Sequence, residues 1–404
     1  MKMIISGGGT GGHISPAQAI IKEWQRRQGE VLYLGGRDSQ EEALAAKEGI
    51  NFQGLPVKPL PRNFSLELFS SAISNFSAFL RAWHIIKDYD PEVVVGTGGF
   101  TAGPVLLAAA LKGYPTLIHE QNSYPGLANR WLARLVDRVA VSFSDSAEYF
   151  PSASRSKIRV TGNPVRQSIL AAASESLAGA EPWKDFAIFP EGFFAAGDFL
   201  LLVMGGSQGS KFINNVMLDI YPDLLENAAE DGEIDKSNFT ENEQGEVISS
   251  DSAGEVKVIH LAGKANYQQV EKLLEERLSP EARKKVLAID YLAEIEKVLV
   301  RADLMIGRAG ASTIAELTAI GLPAILLPYP HAADDHQLIN ARYLSKAGAA
   351  VLLQESSLEA EDLLTEIITL KADEEKLQAM SRASLKLGRP EAIDNIMEEI
   401  LDLC

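Results

Sequence analysis

Two stretches of the chain combine an apolar run, a glycine-rich turn and the start of a helical pattern, and this combination constrains the fold most. The first reads ISGGGTGGH (5–13), and the second reads VMGGSQGS (203–210). A strand that ends in glycines before a helix is typical of parallel α/β sheets, where the turn brings backbone N–H groups to the carboxyl edge of the sheet. Because each half of the chain carries one such turn, we predict two similar α/β lobes.

Short apolar segments alternate with helical spacing along both halves, which predicts parallel sheets covered by helices on both faces. Gly162 and Pro164 interrupt this pattern, so we expect a first lobe at 1–163 and a second lobe at 164–387. The strand candidates are 3–6, 30–36, 91–99, 114–120 and 137–143 in the first half and 198–206, 255–263, 285–290, 302–310, 323–330 and 349–354 in the second.

The charge of the chain excludes some classes of function. A net charge of −17 over 404 residues argues against a nucleic-acid-binding protein. No run of 18 apolar residues occurs, so we expect no membrane span. Ten acidic residues and one lysine fall within 226–255, which we interpret as a solvated, disordered insertion in the second lobe.

The first glycine turn admits several readings. Residues 7–12 match the G-x-G-x-x-G dinucleotide fingerprint, and Asp38 follows the second strand, where a dehydrogenase would hold a ribose. A tight turn without a ligand is the alternative. A P-loop would need Lys and then Ser or Thr after Gly12, but His13 and Ile14 stand there. Because imidazole titrates near neutrality, His13 is a candidate general base, with a capping or hydrogen-bonding role as the alternative.

Two further glycine turns end predicted strands. GTGGFTAGP (96–104) is one, and GGSQGS (205–210), which offers the Ser207 hydroxyl, is the other. Helix N-termini at such turns present unpaired N–H groups to an anion. A cleft lined by turns from two lobes therefore suits a diphosphate whose negative charge grows as it leaves.

Seven segments, taken together and in order, closely resemble the MurG family. They span residues 1 to about 350 and read GGGTGGHISPAQA, GTGGFTAGP, HEQNSYPGLANR, TGNPVR, GGSQGS, GRAGASTIAEL and PHAADDHQLINA. The resemblance implies a GT-B glycosyltransferase, with two Rossmann-like doubly wound lobes facing a cleft. Members transfer N-acetylglucosamine from UDP-GlcNAc to lipid I, with inversion, to make lipid II for peptidoglycan. The resemblance also implies that the last helix, within 388–404, packs back on the first lobe.

The resemblance assigns roles to residues of this sequence. It implies that His13 is the base for the muramyl 4-hydroxyl, and Glu120 is a second candidate that could equally orient a backbone turn. It implies no metal and no cofactor, because backbone N–H groups, helix N-termini and Arg166 stabilise the leaving group; HAADDH (331–336) then lines a sugar site. The residues implied to contact UDP-GlcNAc are Thr10, Gly11, Gly12, Asn122, Arg166, Ser207, Leu292, Ala311, Ser312, Thr313, Glu316 and Gln337.

A stripe of large apolar residues in the first lobe is either core or a membrane-docking surface. It comprises Phe69, Ile73, Phe76, Leu80 and Trp83 at helical spacing. The resemblance implies peripheral association with the cytoplasmic face of the bacterial plasma membrane. It also implies a part in cell shape and cell division, with possible partners among other cell-wall synthesis proteins.

Three other functions stay open on the sequence. A UDP-GlcNAc 2-epimerase would share the fold but would need acidic residues around the sugar ring. A dehydrogenase is supported by the first turn alone. A nucleotide-sugar-binding scaffold without turnover would have no use for a base at His13.

Overall fold

The computed structural model describes residues 1–59, 61, 66–181, 188–190, 192–195, 197–206, 208–226 and 254–404. The acidic segment predicted as an insertion lies almost entirely outside these residues, and Ser207 lies outside them as well. Within the described ranges, no helix has both the length and the apolar character needed to cross a bilayer.

The first half of the chain folds into a seven-stranded parallel sheet. Its strands are β1 (Lys2–Gly7), β2 (Glu30–Gly36), β3 (Phe52–Leu55), β4 (Val93–Gly98), β5 (Thr116–Glu120), β6 (Arg138–Val141) and β7 (Ile158–Val160). They lie in the order β3-β2-β1-β4-β5-β6-β7. Strands β4 and β5 are buried along their whole length, which is why they read as unbroken apolar runs.

The second half repeats this arrangement with six parallel strands. They are β8 (Phe199–Met204), β9 (Val256–Leu261), β10 (Val286–Ile289), β11 (Leu304–Gly307), β12 (Ala324–Leu326) and β13 (Ala350–Leu352). Their order, β10-β9-β8-β11-β12-β13, matches that of the first six strands. The strand order reverses between β1 and β4 and again between β8 and β11, and ligands of open α/β sheets bind outside the carboxyl ends of strands at such points.

Helices cover both faces of each sheet. They are α1 (Gly11–Arg26), α2 (Gln40–Glu48), α3 (Leu66–Tyr89), α4 (Gly99–Lys112), α5 (Leu127–Leu132), α6 (Gln167–Leu177), α7 (Lys211–Leu225), α8 (Tyr267–Arg277), α9 (Pro280–Arg283), α10 (Glu296–Leu299), α11 (Ala311–Ile320), α12 (His336–Lys346), α13 (Ala360–Ala372), α14 (Glu374–Leu387) and α15 (Ala392–Leu401).

Helix α15 packs on the first sheet although it ends the chain. Ile393, Ile396, Met397 and Ile400 are spaced as one helix face, and all four are buried in one cluster with residues of β1 and α1. An ion pair of 3.2 Å between Arg138 Nη1 and Glu399 Oε2 ties the polar side of α15 to β6. The chain therefore crosses between the lobes twice.

Helix α3 separates its small and large apolar residues. Ala78, Ala82 and Ile86 are fully buried against the first sheet. The opposite side carries what we term the apolar α3 face, which comprises Phe69, Ile73, Phe76 and Leu80, exposed by 74%, 63%, 62% and 44%. Of the predicted stripe, Trp83 packs partly against the core. The core interpretation is therefore wrong for the other four residues.

Candidate active site

Direct contacts join the two lobes beyond the carboxyl ends of their strands. Asn340 in α12 is fully buried, and its Oδ1 accepts a 2.8 Å hydrogen bond from the backbone N–H of Ser123, just after β5. Its Nδ2 donates to Asn122 Oδ1 and to the carbonyl of Ala309, both at 3.2 Å. One asparagine thus bonds to both lobes, and Asn122, one of the residues implied to bind the donor, lies at this junction.

The glycines of the first turn fall into two groups. A Cβ on Gly7 would lie 1.8 Å from Thr97 Oγ1, and a Cβ on Gly8 would lie 2.2 Å from the carboxylate of Glu41, so the fold itself excludes side chains there. A Cβ on Gly11 would meet nothing within 4 Å, and one on Gly12 would meet only the Thr10 hydroxyl at 3.8 Å. The fold does not need glycine at these two positions, whose absent side chains leave room beside the N-terminus of α1.

His13 lies in the first turn of α1, half-buried at the edge of the cleft. Its Nδ1 is 3.0 Å from the carbonyl of Thr97 and 2.9 Å from Gln121 Oε1. A carbonyl can only accept, so Nδ1 carries the proton and Nε2 keeps the lone pair of the neutral ring. No described residue forms a hydrogen bond with Nε2. A neutral imidazole in this state can accept a proton from a substrate hydroxyl.

The position of the His13 ring depends on the glycine turn after β4. A Cβ on Gly98, whose φ is +99°, would lie 2.8 Å from Nδ1 of His13. A Cβ on Gly99, whose φ is +76°, would lie 2.1 Å from the carbonyl oxygen of Gly8. These two glycines therefore let β4 and α4 close against the first turn with the imidazole between them.

Glu120 orients the loop after β5. The residue is 1% exposed, and its Oε1 accepts hydrogen bonds from Asn122 N at 3.0 Å and Asn122 Nδ2 at 3.4 Å. Its Oε2 accepts from Gly126 N at 3.0 Å and Asn129 Nδ2 at 2.8 Å. With both oxygens engaged away from solvent, this carboxylate holds the loop that carries Asn122.

Helix α11 begins with open space and without a side-chain cap. Gly310 is its N-cap, and no side chain of the described residues caps the first turn. A Cβ on Gly310 would meet only Thr313 Oγ1 at 3.7 Å. The helix starts at Ala311, Ser312 and Thr313, and α11 contacts α1 of the first lobe. Its N-terminal N–H groups can therefore receive an anion from the cleft.

Arg166 and Glu316 are paired in the structure. Arg166 donates from Nε to Glu316 Oε1 at 2.7 Å and from Nη2 to Glu316 Oε2 at 3.0 Å, a two-pronged ion pair. Arg166 precedes α6, and Glu316 lies in α11. The resemblance implies separate partners for these residues, a diphosphate and a ribose, whereas the structure joins them.

The remaining donor candidates lie in the second lobe. Leu292 follows β10 with its side chain buried, and no described residue bonds to its backbone N–H. The side-chain carbonyl of Gln337, in α12, accepts a hydrogen bond from Tyr329 N at 3.0 Å. Among the described residues, no group of three or more His, Cys, Asp or Glu side chains is arranged to hold a metal ion, HAADDH included.

The N-terminus of α7, at the second glycine turn, is closed by side chains. Ser210 Oγ accepts from Ile213 N at 3.4 Å and from Arg308 Nη2 at 2.6 Å. Arg308 is buried and also forms an ion pair with Glu355. Ser210, Arg308 and Glu355 are not among the site residues predicted from the sequence.

The fold and this cleft define a class of protein. Two Rossmann-type lobes that meet at the carboxyl ends of their sheets, with open helix N-termini facing the cleft, characterise the GT-B class of nucleotide-sugar enzymes. The model for the glycosyltransferase family 28 N-terminal domain matches residues 3–141, and that for its C-terminal domain matches residues 200–396. The chain belongs to glycosyltransferase family 28 and, within it, to the MurG family.

Relatives at full length support this placement. A protein from Halothermothrix orenii is 40% identical over 100% of this chain and 99% of its own length. One from Desulforamulus reducens is 39% identical over 98% of this chain and 97% of its own. Both are named UDP-N-acetylglucosamine--N-acetylmuramyl-(pentapeptide) pyrophosphoryl-undecaprenol N-acetylglucosamine transferase.

Solved structures show the same architecture. MurG from Acinetobacter baumannii matches with a TM-score of 0.72 and 25% identity, covering 99% of each chain. A UDP-GlcNAc 2-epimerase from Neisseria meningitidis, bound to UDP-GlcNAc, matches with a TM-score of 0.63 over 100% of each chain. At 15% identity, the epimerase is evidence of a shared fold alone.

Proposed function

We propose that this protein transfers N-acetylglucosamine from UDP-GlcNAc to the C4 hydroxyl of the N-acetylmuramyl sugar of lipid I, giving lipid II for peptidoglycan synthesis. The observation that carries the proposal is the match, over the full length of the chain, to relatives named for this transferase. His13, whose Nδ1 is engaged by Thr97 and Gln121 and whose Nε2 bonds to no described residue, supplies the base that the reaction needs.

The donor occupies the second lobe, residues 164–387, in this proposal. The diphosphate lies at the uncapped start of α11, where Ala311, Ser312 and Thr313 begin the helix. Arg166 leaves Glu316 for the diphosphate, and Glu316 then accepts from the ribose hydroxyls. The uracil meets the backbone of Leu292. Ser207, outside the described residues, contributes to phosphate binding, and the amides of Asn122 and Gln337 contact the sugar.

The acceptor occupies the first lobe, residues 1–163, to which α15 returns. The proton of the acceptor hydroxyl passes to His13 Nε2 as the oxygen bonds to the anomeric carbon from the side opposite UDP. The bond between that carbon and the diphosphate oxygen breaks, so the configuration inverts. Thr10, Gly11 and Gly12 leave the space in which the reacting sugar and diphosphate approach α1. Glu120 acts by holding the Asn122 loop.

The charge that develops on the leaving diphosphate is met by two kinds of group. Backbone N–H groups at the start of α11 are already oriented in the free protein, so they stabilise a transition state without reorganisation, whereas the guanidinium of Arg166 joins them after it exchanges Glu316 for the diphosphate. The guanidinium is held at the cleft by its pairing with Glu316 before the donor arrives.

The apolar α3 face docks on the cytoplasmic face of the plasma membrane in this proposal. Four large apolar side chains lie exposed in one row on α3, which is a larger apolar patch than a helix that faces water usually carries. Arg81 and Lys87, also on α3, are exposed and can contact anionic lipid headgroups. Lipid I, whose undecaprenyl chain lies in the bilayer, would then reach the first lobe. A role in cell shape and division, alongside other cell-wall enzymes, follows from the product.

Transfer of labelled GlcNAc tests the reaction. We expect label from UDP-GlcNAc to appear on a lipid I analogue, with UDP released in equal amount. Consumption of UDP-GlcNAc without an acceptor to give N-acetylmannosamine would replace the proposal with the epimerase, and binding without turnover would replace it with the scaffold.

Flotation with vesicles containing anionic lipid tests membrane docking. Phe76→Glu should reduce the bound fraction, because it places a charge in the apolar α3 face. Leu177→Glu is the matched control, since Leu177 is 91% exposed on α6 of the other lobe. Equal loss in both variants would contradict docking through α3.

A further inference from the structure

A chain of hydrogen bonds runs inward from His13 to the connection between the lobes. Gln121 Oε1 is 2.9 Å from His13 Nδ1, and Gln121 Nε2 is 2.9 Å from Nδ1 of His119. Nε2 of His119 is 3.0 Å from the carbonyl oxygen of Gly162. Gln121 and His119 are almost completely buried, and neither is among the residues that the resemblance assigns to substrate.

The carbonyl acceptors in this row of hydrogen bonds fix the tautomer of each histidine, while the two N–H groups of Gln121 are shared among three acceptors. Gln121 Nε2 is 2.9 Å from the carbonyls of Thr97 and His119, and because carbonyls only accept, the amide NH₂ must face them. The amide oxygen therefore faces His13 and accepts from Nδ1–H. The carbonyl of Gly162 likewise requires the proton of His119 on Nε2, so Nδ1 of His119 accepts from Gln121. The two histidines must hold opposite tautomers.

The surroundings of His119 favour its uncharged form. Complete burial lowers the pKa of His119, and the nearby charges that act on this ring are Glu120 and His13. Both carboxylate oxygens of Glu120 are engaged by the loop after β5. A neutral His119 keeps the lone pair of Nδ1 that faces the Gln121 amide.

The series of hydrogen bonds that starts at His13 ends at Gly162, where the two connections between the lobes meet. Gly162 lies between β7 and α6 with φ of +92°, and a Cβ there would lie 2.8 Å from Cβ of Arg389. Arg389 belongs to the segment between α14 and α15, which is the second connection. The hydrogen bonds from the base thus end on a backbone position that packing holds in place.

We propose that Gln121 and His119 are positioning residues that hold the His13 imidazole with its proton on Nδ1 and anchor it to the Gly162 carbonyl between the lobes. The tautomer follows from the hydrogen bonds alone; its value for catalysis rests on the proposed function. Gln121 acts through His13 and is placed to touch no substrate. Thr97 shares the Nδ1 proton, so loss of Gln121 weakens the arrangement without abolishing it.

The second lobe contains a buried histidine of comparable chemistry that does not reach the cleft. His260 Nε2 is 3.0 Å from Asn214 Oδ1, and its Nδ1 is 3.0 Å from the hydroxyl of Tyr221. Because all three residues are buried in the second lobe, Tyr221→Phe removes one buried bond to a histidine and serves as the matched control.

Nitrogen NMR of the histidine rings tests the proposal without any activity measurement. In the wild-type protein labelled with [¹⁵N]histidine, we expect His13 as the Nδ1–H form and His119 as the Nε2–H form, each assigned by substitution. His13 in the Nε2–H form would overturn the proposal, whereas the overall transfer reaction is tested separately by the label-transfer assay.

The Gln121→Met variant then measures how much the hydrogen bonds from Gln121 contribute to turnover. We expect kcat to fall about 10- to 100-fold with the KM for UDP-GlcNAc within about twofold, and part of the His13 signal to move to the Nε2–H form. Tyr221→Phe should change neither kcat nor the His13 signal. A Gln121→Met protein that is folded, with wild-type kcat and an unchanged His13 signal, would refute the positioning role.

Discussion

Helices α1 and α7 occupy the same place in their lobes, directly after the first central strand, but their N-termini differ. At α1 no side chain caps the first turn, and Gly11 and Gly12 leave open space. At α7 the hydroxyl of Ser210 caps the helix and is itself held by Arg308. Equivalent helices of the two lobes therefore need not both leave their N-termini open to a ligand. In the second lobe α11 also begins at a glycine without a side-chain cap, and this helix contacts α1.

Removal of the proposed base at the N-terminus of α1 should have the largest effect on activity. His13→Ala should lower kcat about 10²- to 10⁴-fold, because the acceptor hydroxyl then has no positioned proton acceptor. UDP binding by calorimetry should stay nearly unchanged. His84→Ala, at an exposed histidine on α3, is the control and should keep kcat when a soluble acceptor is used. Full activity in His13→Ala would remove the base assignment.

The division among the glycines of the first turn can be tested with two alanines. Gly8→Ala should destabilise the protein by about 1–3 kcal/mol, because its Cβ would overlap the buried Glu41 carboxylate. Gly12→Ala should be neutral or stabilising by up to about 1 kcal/mol, since it adds a helix former in open space.

Among the folded proteins, we expect Gly12→Ala, the more stable variant, to be the less active one. Gly12→Ala should lose about tenfold or more in kcat/KM, because the methyl group occupies space reserved for substrate. Urea unfolding and transfer assays on the two variants provide the comparison. A fully active Gly12→Ala protein would show that the space beside α1 is not used.

The ion pair between Arg166 and Glu316 allows a test of donor binding at α11. Arg166→Ala should raise the KM for UDP-GlcNAc about 10- to 100-fold, because the diphosphate loses a charged fork. Arg166→Lys should recover little, since an ammonium cannot make two parallel bonds. Arg159→Ala, on the exposed side near Glu399, is the control and should leave KM unchanged.

The buried histidine of the second lobe predicts sensitivity to acid. Burial lowers the pKa of His260 to about 4, below the unfolded value near 6.5, so the unfolded chain binds more protons between these pH values. The contribution of neutral His260 to the free energy of unfolding is complete above pH ~6.5 and declines as pH falls toward ~4. Between pH ~7 and ~5 the free energy of unfolding falls by about 2 kcal/mol. Urea unfolding of His260→Gln should show a shallower decline than wild type; an identical slope would contradict this origin.

The smallest expected effect concerns the cap itself. Ser210→Ala should lower the free energy of unfolding by about 1–2 kcal/mol, because α7 loses its cap and Arg308 loses a partner. Thr10→Ala should change it by less than about 0.5 kcal/mol, since the Thr10 side chain caps nothing. Equal losses in the two variants would mean that the two helix starts do not differ as described.

The sequence predicted the lobes because fully buried parallel strands read as unbroken apolar runs. It did not predict β3 and β7, the two edges of the first sheet. Both are short and only partly buried, so no apolar run distinguishes them from the neighbouring loops. Both sheets share their strand order, and the paired glycine turns pointed to that duplication.

The site was predictable where a motif carries the chemistry and not where side chains meet across the cleft. His13 could be selected because an imidazole after a glycine turn is unusual. The pairing of Arg166 with Glu316, and the bonds of Asn340 to both lobes, depend on distances between residues far apart in sequence. Gln121 lies inside the HEQN segment, but an amide carries no signal of its own until its neighbours are known.

A crystal structure with UDP-GlcNAc bound tests the central claim most directly. We expect the diphosphate at the N-terminus of α11, Arg166 released from Glu316 and bonded to phosphate, and the Nε2 side of His13 facing the sugar across the cleft. A nucleotide bound elsewhere, with the pair between Arg166 and Glu316 intact and His13 turned away from the sugar, would contradict the account.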